Sequence, residues 1–552
     1  MTDRHIVVLT TVLDADNDLA VLSETSVDVT VPAIPVPPEP EPPGTWRVEV
    51  VHGGRTYQVT QEHAGDMGDF VSHRGGFTQR CFKTSIPELA MTVFFRPDAE
   101  GERQEVVFER GYVWLAGTEA DIGSYRAVIW QGVDQVASVD VPHHYLFSRW
   151  RWQSEPRSIV CEIEDLHAAR LIPPYAFDAT RTPVAVLVPY APMGLAGIYP
   201  QMPDAGERPD IGPMTDPQAE YLVTAGDAAL AVTMAQAEGA GTCQWHMRDE
   251  NTCAPIDFKT YPEACWYQSQ QQGTPFVPIP PGAIKLDQAH QPALAYLPYL
   301  LTGDPYHLET LQFQATWNYG NLSLGYRPHL GETRQFAWDT RTLGQCLQVT
   351  PEEAPAWLLP QHSWRTLQDK YRAHFEGKYL LSDNPIHTYF RCTDNLDSRP
   401  ADGKAPAGTW QQPWQQDFLA AVFGWLIAMG QNQWRPAFDW LVGGVTARTH
   451  KDAGWPRAQC TPYQMMLKPA KDAPAVANWD ACWLLNHDVL ELDYDDVNTW
   501  VAEDMTYLTY TRGALACTRV VDPNTDEAFR WASDQLRQRG RLPAFKWSIG
   551  DG

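Results

Sequence analysis

One pattern recurs through the second half of this 552-residue chain: an apolar helical run, a short turn carrying Gly or Asp, and a second helical run. Ala219 to Thr224 leads through Ala225-Gly226-Asp227 into Ala228, and Leu297 to Thr302 leads through Gly303-Asp304 into Pro305, as two copies of one hairpin. Looser copies run from Gly424 to Gly430 into Pro436, from Leu343 to Val349 towards Trp357, and from Leu515 through Asp522-Pro523 into Phe529 to Leu536. Gly accepts the left-handed cap that ends a helix, and Pro is tolerated in the first turn of the next. Hairpins repeated in this way bury their faces on one another, as an open solenoid or a closed α/α toroid. The copies are degenerate and separated by long Trp-rich loops (241–286 and 383–416), which favours the toroid.

The first third reads differently. Ile6 to Val8 and Val27 to Val31 are β-branched runs, and a proline-rich passage from Val31 to Gly44 follows as an extended spacer. Beyond it, Trp46–Val51, Thr56–Val59, Met91–Phe95, Glu105–Phe108, Tyr112–Leu115 and Tyr125–Trp130 are short strands broken by Gly, Asp and Pro turns. Such spacing predicts an antiparallel sandwich and not βαβ units. The expected architecture is therefore α+β and multidomain. Residues 1–44 form strands and spacer, 45–190 the β-sandwich, and 191–552 an α/α toroid with a cleft.

Bulk properties exclude several functions. With 44% hydrophobic and 20% charged residues the composition is globular, and no apolar run approaches the roughly 20 residues of a membrane span. A net charge of −26 repels nucleic-acid phosphates and acidic membrane surfaces. Neither nucleic acid nor membrane is an expected partner. The start lacks the features of a secretory signal, which predicts cytoplasmic synthesis, with incorporation in a virion as a further destination. The ten cysteines show no metal-ligand spacing, and Cys243 and Cys253 are expected as buried thiols over a bridge. There is no P-loop, HExxH, dinucleotide-binding glycine run or nucleophile elbow, so no cofactor or metal is expected.

Tryptophan is unusually abundant, with 22 residues. A rigid aromatic face suits stacking on a sugar ring, and Trp245, Trp317, Trp338 and Trp414 are candidates for that role, although most of the tryptophans are expected to pack between helices. Four polar clusters stand at hairpin starts. Arg208 and Asp210, in a Pro/Gly-shaped loop, offer a clamp and a carboxyl group, or simply a surface ion pair at a capped helix start. Asp287-Gln288-Ala289-His290-Gln291 places a proton-transfer side chain beside an acid and two amides, or a capping histidine. Glu332 with Arg334, and Trp414 with Asp417, complete the set, Glu332 having a structural explanation in the helix dipole. Convergence of hairpin starts on one rim would bring Asp210, His290, Glu332 and Asp417 together as catalytic groups, with Arg208, Gln291, Arg334 and the tryptophans binding substrate.

A sandwich followed by helical hairpins, with Trp-lined loops and polar hairpin starts, resembles the α/α-toroid carbohydrate-active enzymes, both glycoside hydrolases and polysaccharide lyases. The phrases from Gly206 to Gly212, His290 to Tyr296 and Trp414 to Phe418 are also similar to segments of uncharacterised proteins encoded by bacteriophages and prophages. The resemblance implies a polysaccharide or oligosaccharide partner. It implies either a hydrolase using Asp210 with Asp417 or Glu332, or a lyase using His290 as base, Tyr319 as acid and Asn318 or Arg334 on a uronate. Hydrolysis is the favoured of the two, in a phage tail or virion-associated depolymerase. The competing expectation is a non-catalytic virion protein for receptor binding or tail assembly, docked on other virion proteins through residues 1–44.

Overall fold

The computed structural model describes residues 2–13, 19–31, 45–101, 103–113, 122–204, 208–266, 283–322, 332–381, 385–387, 409–452, 454–462, 465–470, 473–489 and 506–550. The chain divides into two units, Met1–Gly44 and Thr45–Gly552. In the first, β1 (Thr2–Leu13) and β2 (Leu19–Val31) pair antiparallel, with a register irregularity between Thr10 and Thr11. The proline-rich passage after Val31 lies outside the described residues.

The second unit opens with two antiparallel sheets. The four-stranded sheet has the order β10 (Asp134–Val141), β9 (Tyr125–Gln131), β3 (Trp46–His52), β4 (Arg55–Thr60). The five-stranded sheet has the order β11 (Arg149–Gln153), β8 (Gln104–Glu109), β7 (Met91–Pro97), β6 (Phe77–Ile86), β5 (Gly65–Ser72). They share one core, in which Trp46, Val48, Val50 and Ile129 meet Val93, Phe95, Val106, Phe108 and Trp150. Residues 114–115 of the strand expected at Tyr112–Leu115 lie outside the described residues, and Tyr112 forms an isolated bridge to Arg248.

Strands β7 and β8 are buried along their whole length. Side chains alternate across a strand, so Val106 and Phe108 face the sandwich core while Glu105, Val107 and Glu109 point the other way. Phe94 and Val107 belong to a separate core with Tyr299, Tyr306 and Leu308 of the helical part. The second face of this sheet is thus a floor on which helices pack.

Twelve α-helices are found among the described residues. After the short α1 (Ile163–Ala168) come α2 (Asp216–Thr224) and α3 (Asp227–Gly239), then α4 (Tyr296–Thr302) and α5 (Pro305–Gly320). Both expected hairpins are present, and their turns carry left-handed residues, Ala225 at φ 53° and Gly303 at φ 66°. Asp304 caps α5 by accepting from the Tyr306 N–H at 3.1 Å, and Pro305 fills the first turn. Next are α6 (Thr333–Val349) and α7 (Gln361–Phe375), α8 (Pro413–Ala428) and α9 (Arg435–Thr449), α10 (Trp479–Leu484), and the pair α11 (Thr506–Arg519) and α12 (Asp526–Gln538). A two-stranded ribbon, β12 (Thr409–Gln411) and β13 (Met465–Lys468), lies between these helices in sequence. The architecture is α+β: two antiparallel sheets followed by helices.

Floor and helices are joined by ions. Glu309 of α5 accepts from Arg96 at 3.0 Å, from Arg248 at 2.6 Å and from Arg149. Arg151 reaches Glu105 and Asp304, both at 2.7 Å, and Glu238 at 3.0 Å. Arg248 also bonds Glu109 at 2.8 Å, and Arg103 lies 3.4 Å from Glu105. Five guanidinium groups face five carboxylates in this network. Its arginines hold Asp304 and Glu309 well below the usual carboxylate range against the opposing effect of burial. The nine described cysteines, Cys243 and Cys253 included, are free thiols.

Candidate functional site

The starts of α6 and α8 meet. Glu332 is the N-cap residue of α6, but its side chain makes no capping hydrogen bond. Its Oε2 instead accepts from Arg334 Nε at 2.6 Å. The backbone N–H of Arg334, one of the four that a helix start leaves without an intrahelical partner, donates to Oε1 of Gln415 at 3.2 Å. A side chain from the first turn of α8 thus caps α6 and fixes the two helix starts side by side. Pro413 and Gln412 begin α8, and the Trp414 ring lies 5.7 Å from the Arg334 guanidinium carbon.

Between them is a cavity of about 160 Å³ lined by Glu332, Thr333, Arg334, Gln411, Gln412, Trp414 and Gln415. Among the described residues its lining is almost wholly polar: three amides, a hydroxyl group and an ion pair, with one aromatic ring. Glu332 and Arg334 keep part of their side chains open to solvent, 27% and 14%. Three expected residues, Glu332, Arg334 and Trp414, therefore come together.

A second group stands beside the first. His290 Nδ1 contacts Asp287 Oδ2. Arg208 donates from Nη2 to the His290 carbonyl at 2.8 Å and from Nε to Asp210 at 3.0 Å. Arg341 of α6 donates to the Gln291 carbonyl at 2.9 Å and to that of Gly212. Both loops are in this way held on α6. One hydrogen bond joins the two groups, from Gln335 Nε2 to Gln288 Oε1 at 2.8 Å. Asp210 is nearly enclosed, and burial raises its carboxyl group above its ordinary value while Arg208 opposes the rise. Gln291 and Asn318 are buried, and neither side chain has a hydrogen-bond partner.

Asp417 does not join them. It lies within the helix packing, accepting from Arg448 of α9 and from the Thr511 hydroxyl of α11, both at 2.6 Å. Burial raises this carboxyl group too, with Arg448 and Thr511 opposing. Trp245, Trp317 and Trp338 are enclosed in the main core, Trp338 with its ring 5.0 Å from that of Phe418. No ring face of theirs is open to a sugar, since Trp317 and Trp338 stand on covered faces of α5 and α6 and Trp245, in the loop after α3, is fully buried.

Sequence reasoning missed Asp339. Fully buried on α6, it has one carboxylate oxygen without a partner, and burial drives its carboxyl group well above the ordinary value. Nothing in the local sequence distinguishes it from the polar positions of an exposed helix face. Also missed were Gln411, Gln412 and Gln415, whose amides carry no chemical signature until two helix starts are brought together. Among the described residues, no group of three or more His, Cys, Asp or Glu is placed to hold a metal ion, and no helix is long and apolar enough to cross a membrane. No known protein family, curated protein or solved structure matches the chain.

Proposed function

We propose that this protein recognises a glycan through the cavity between the starts of α6 and α8. The observation that carries the reading is the described lining: three glutamine amides, a threonine hydroxyl, a carboxylate and a guanidinium around a small hollow, with Trp414 as an aromatic wall. Sugar hydroxyls donate and accept at once. Amides and paired charges answer both demands, and hydrogen bonds to ionised groups are the stronger ones. The helical part is read as an α/α toroid. This is supported by the last turn of the chain, Phe545–Trp547, which packs on both α2 and α11 and whose Lys546 N–H donates to Asp216 at 2.8 Å.

Recognition is favoured over cleavage. Hydrolysis uses two carboxyl groups about 5 to 10 Å apart across the bond, and of Asp210, Glu332 and Asp417 only Glu332 lines the cavity. Asp210 and Asp417 are engaged with Arg208 and Arg448. This same observation favours a non-catalytic binding protein, such as one serving receptor attachment in a phage particle, for which residues 1–44 form a unit of their own.

The test is a panel of bacterial-surface and plant-type polysaccharides, scored for binding, for new reducing ends and for unsaturated uronates. Binding lost in Arg334→Ala without any product is the expected result. Products lost in Glu332→Gln would establish a hydrolase. Unsaturated products lost in His290→Ala would establish a lyase. No binding by the folded wild type to any member would overturn the reading.

A further inference from the structure

The composition of the cavity also separates classes of sugar. Of its described lining residues one is acidic and one basic, Glu332 and Arg334, and they are bonded to each other at 2.6 Å. The remaining polar groups, Thr333, Gln411, Gln412 and Gln415, are neutral. The described lining therefore carries no net formal charge, and Arg334 already has a carboxylate against it.

An acidic sugar entering here would have to bring its carboxylate to Arg334 beside Glu332. It would displace that side chain or stand next to a like charge, which costs several kcal/mol when desolvated. The molecule as a whole, at −26, adds a repulsive field for any polyanion. A hydroxyl group meets neither penalty, since it donates to Glu332 and accepts from Arg334 while the pair stays intact. Size sets a second limit. At about 160 Å³ the cavity falls below the roughly 300 Å³ at which pockets for drug-sized ligands begin. A volume of this order matches one sugar ring.

Resting on the glycan reading, we infer that the site takes a single neutral hexopyranose unit, with vicinal hydroxyls bridging Glu332 and Arg334, and discriminates against uronic acids. The experiment compares pairs of ligands that differ only in a CH₂OH or a carboxylate at C6. These are the methyl glycosides of glucose, galactose and mannose and of the corresponding uronic acids, titrated into the full-length protein and followed by ligand-observed NMR.

The expected result is that at least one neutral glycoside binds at least about tenfold more tightly than its uronide. Its affinity should hardly change as salt is raised from about 20 mM to about 500 mM, because no charge is exchanged on binding. In Glu332→Gln, Arg334 loses its counter-charge, and uronide binding should rise while neutral binding falls. A purely structural role for Glu332 would weaken both together. Thermal unfolding of the variant establishes that it is folded.

A wild-type protein that binds a uronide as well as or better than its neutral partner would overturn the inference and leave the glycan reading standing. Failure of every glycoside, together with failure of the polysaccharide panel, would remove both. A polysaccharide bound without any of the six glycosides would overturn the single-unit site alone.

Discussion

Arg248 and Glu309 form a fully buried ion pair, Nη2 to Oε1 at 2.6 Å, that joins a loop after α3 to the middle of α5. Arg96 of β7 and Arg149 of β11 converge on the same carboxylate, so one side chain on one helix neutralises guanidinium groups from two strands and a loop. Removing one partner of a buried pair leaves the others desolvated and uncompensated. Glu309→Gln should therefore destabilise the protein by about 3 to 5 kcal/mol, seen as a lower urea midpoint at unchanged slope. A change below about 1 kcal/mol, the range of exposed pairs, would mean that water reaches the network.

The network also sets a dependence on pH. His307, buried on α5, has its pKa lowered from 6.5 to about 4, chiefly by burial and then by Arg151. The unfolded chain takes up a proton near pH 6.5 that the folded chain refuses until about pH 4. The stabilisation is complete above pH 6.5 and is lost as pH falls towards 4, by about 1.4 kcal/mol per pH unit and about 3 kcal/mol in all. His144 and His246 are lowered by burial in the same way, so urea unfolding between pH 7 and pH 4 should show a steeper combined slope, which His307→Gln should reduce by about 1.4 kcal/mol per pH unit. An equal slope in the variant would assign the loss to other groups.

Asp417 separates a structural role from a chemical one. Asp417→Asn removes the counter-charge from buried Arg448 and is expected to cost about 3 to 5 kcal/mol of stability. At low temperature, where the variant is folded, glycan affinity should stay within a factor of about two, since Asp417 does not line the cavity and its carboxylate is held by Arg448 and Thr511. Lost binding in a folded variant would place Asp417 in the site after all.

Gly303 is the hinge between α4 and α5, and also a contact with the sheets. Its φ of 66° suits glycine, and an added Cβ would come within 2.5 Å of Ser72 Oγ and 2.6 Å of the Gly75 backbone nitrogen. Its carbonyl accepts from the Ser72 hydroxyl at 2.8 Å. Gly303→Ala should cost about 1 to 3 kcal/mol through overpacking, measured as a fall in urea midpoint. The strain of the left-handed backbone adds to this. An alanine variant as stable as the wild type would show that the turn after β5 yields.

Much of the fold could be read from local pattern. The hairpin turns at Gly226-Asp227 and Gly303-Asp304 were legible because a glycine or aspartate that ends one helix and starts the next acts through its own backbone and its nearest neighbours. Five of the nine strands of the two sheets, β3, β4, β7, β8 and β9, followed from period-2 alternation. Strands β5, β6, β10 and β11 were not foreseen; in β5, Gly65, Asp66, Gly68 and Asp69 look like turn residues and are held in the sheet by pairing with β6. The alternation in Arg149-Trp150-Arg151-Trp152 and in β8 marks one apolar and one charged face, which by itself means a strand wet on one side. The charged face is in fact covered by α5, and no local signal announces that a distant Glu309 will neutralise it.

The sequence alone determined the two hairpins that turn at Gly226-Asp227 and Gly303-Asp304, five of the nine sheet strands, and that polar residues gather at hairpin starts, because these depend on interactions over a few residues. Only the tertiary structure decided which of those residues share a space. Glu332, Arg334 and Trp414 line one cavity because the Gln415 side chain caps another helix, while Asp417, one turn further along α8, is enclosed by Arg448 and Thr511. An aspartate at a helix start has the same local chemistry in either place. What separates a binding group from a buried strut is the set of neighbours that packing brings from elsewhere in the chain.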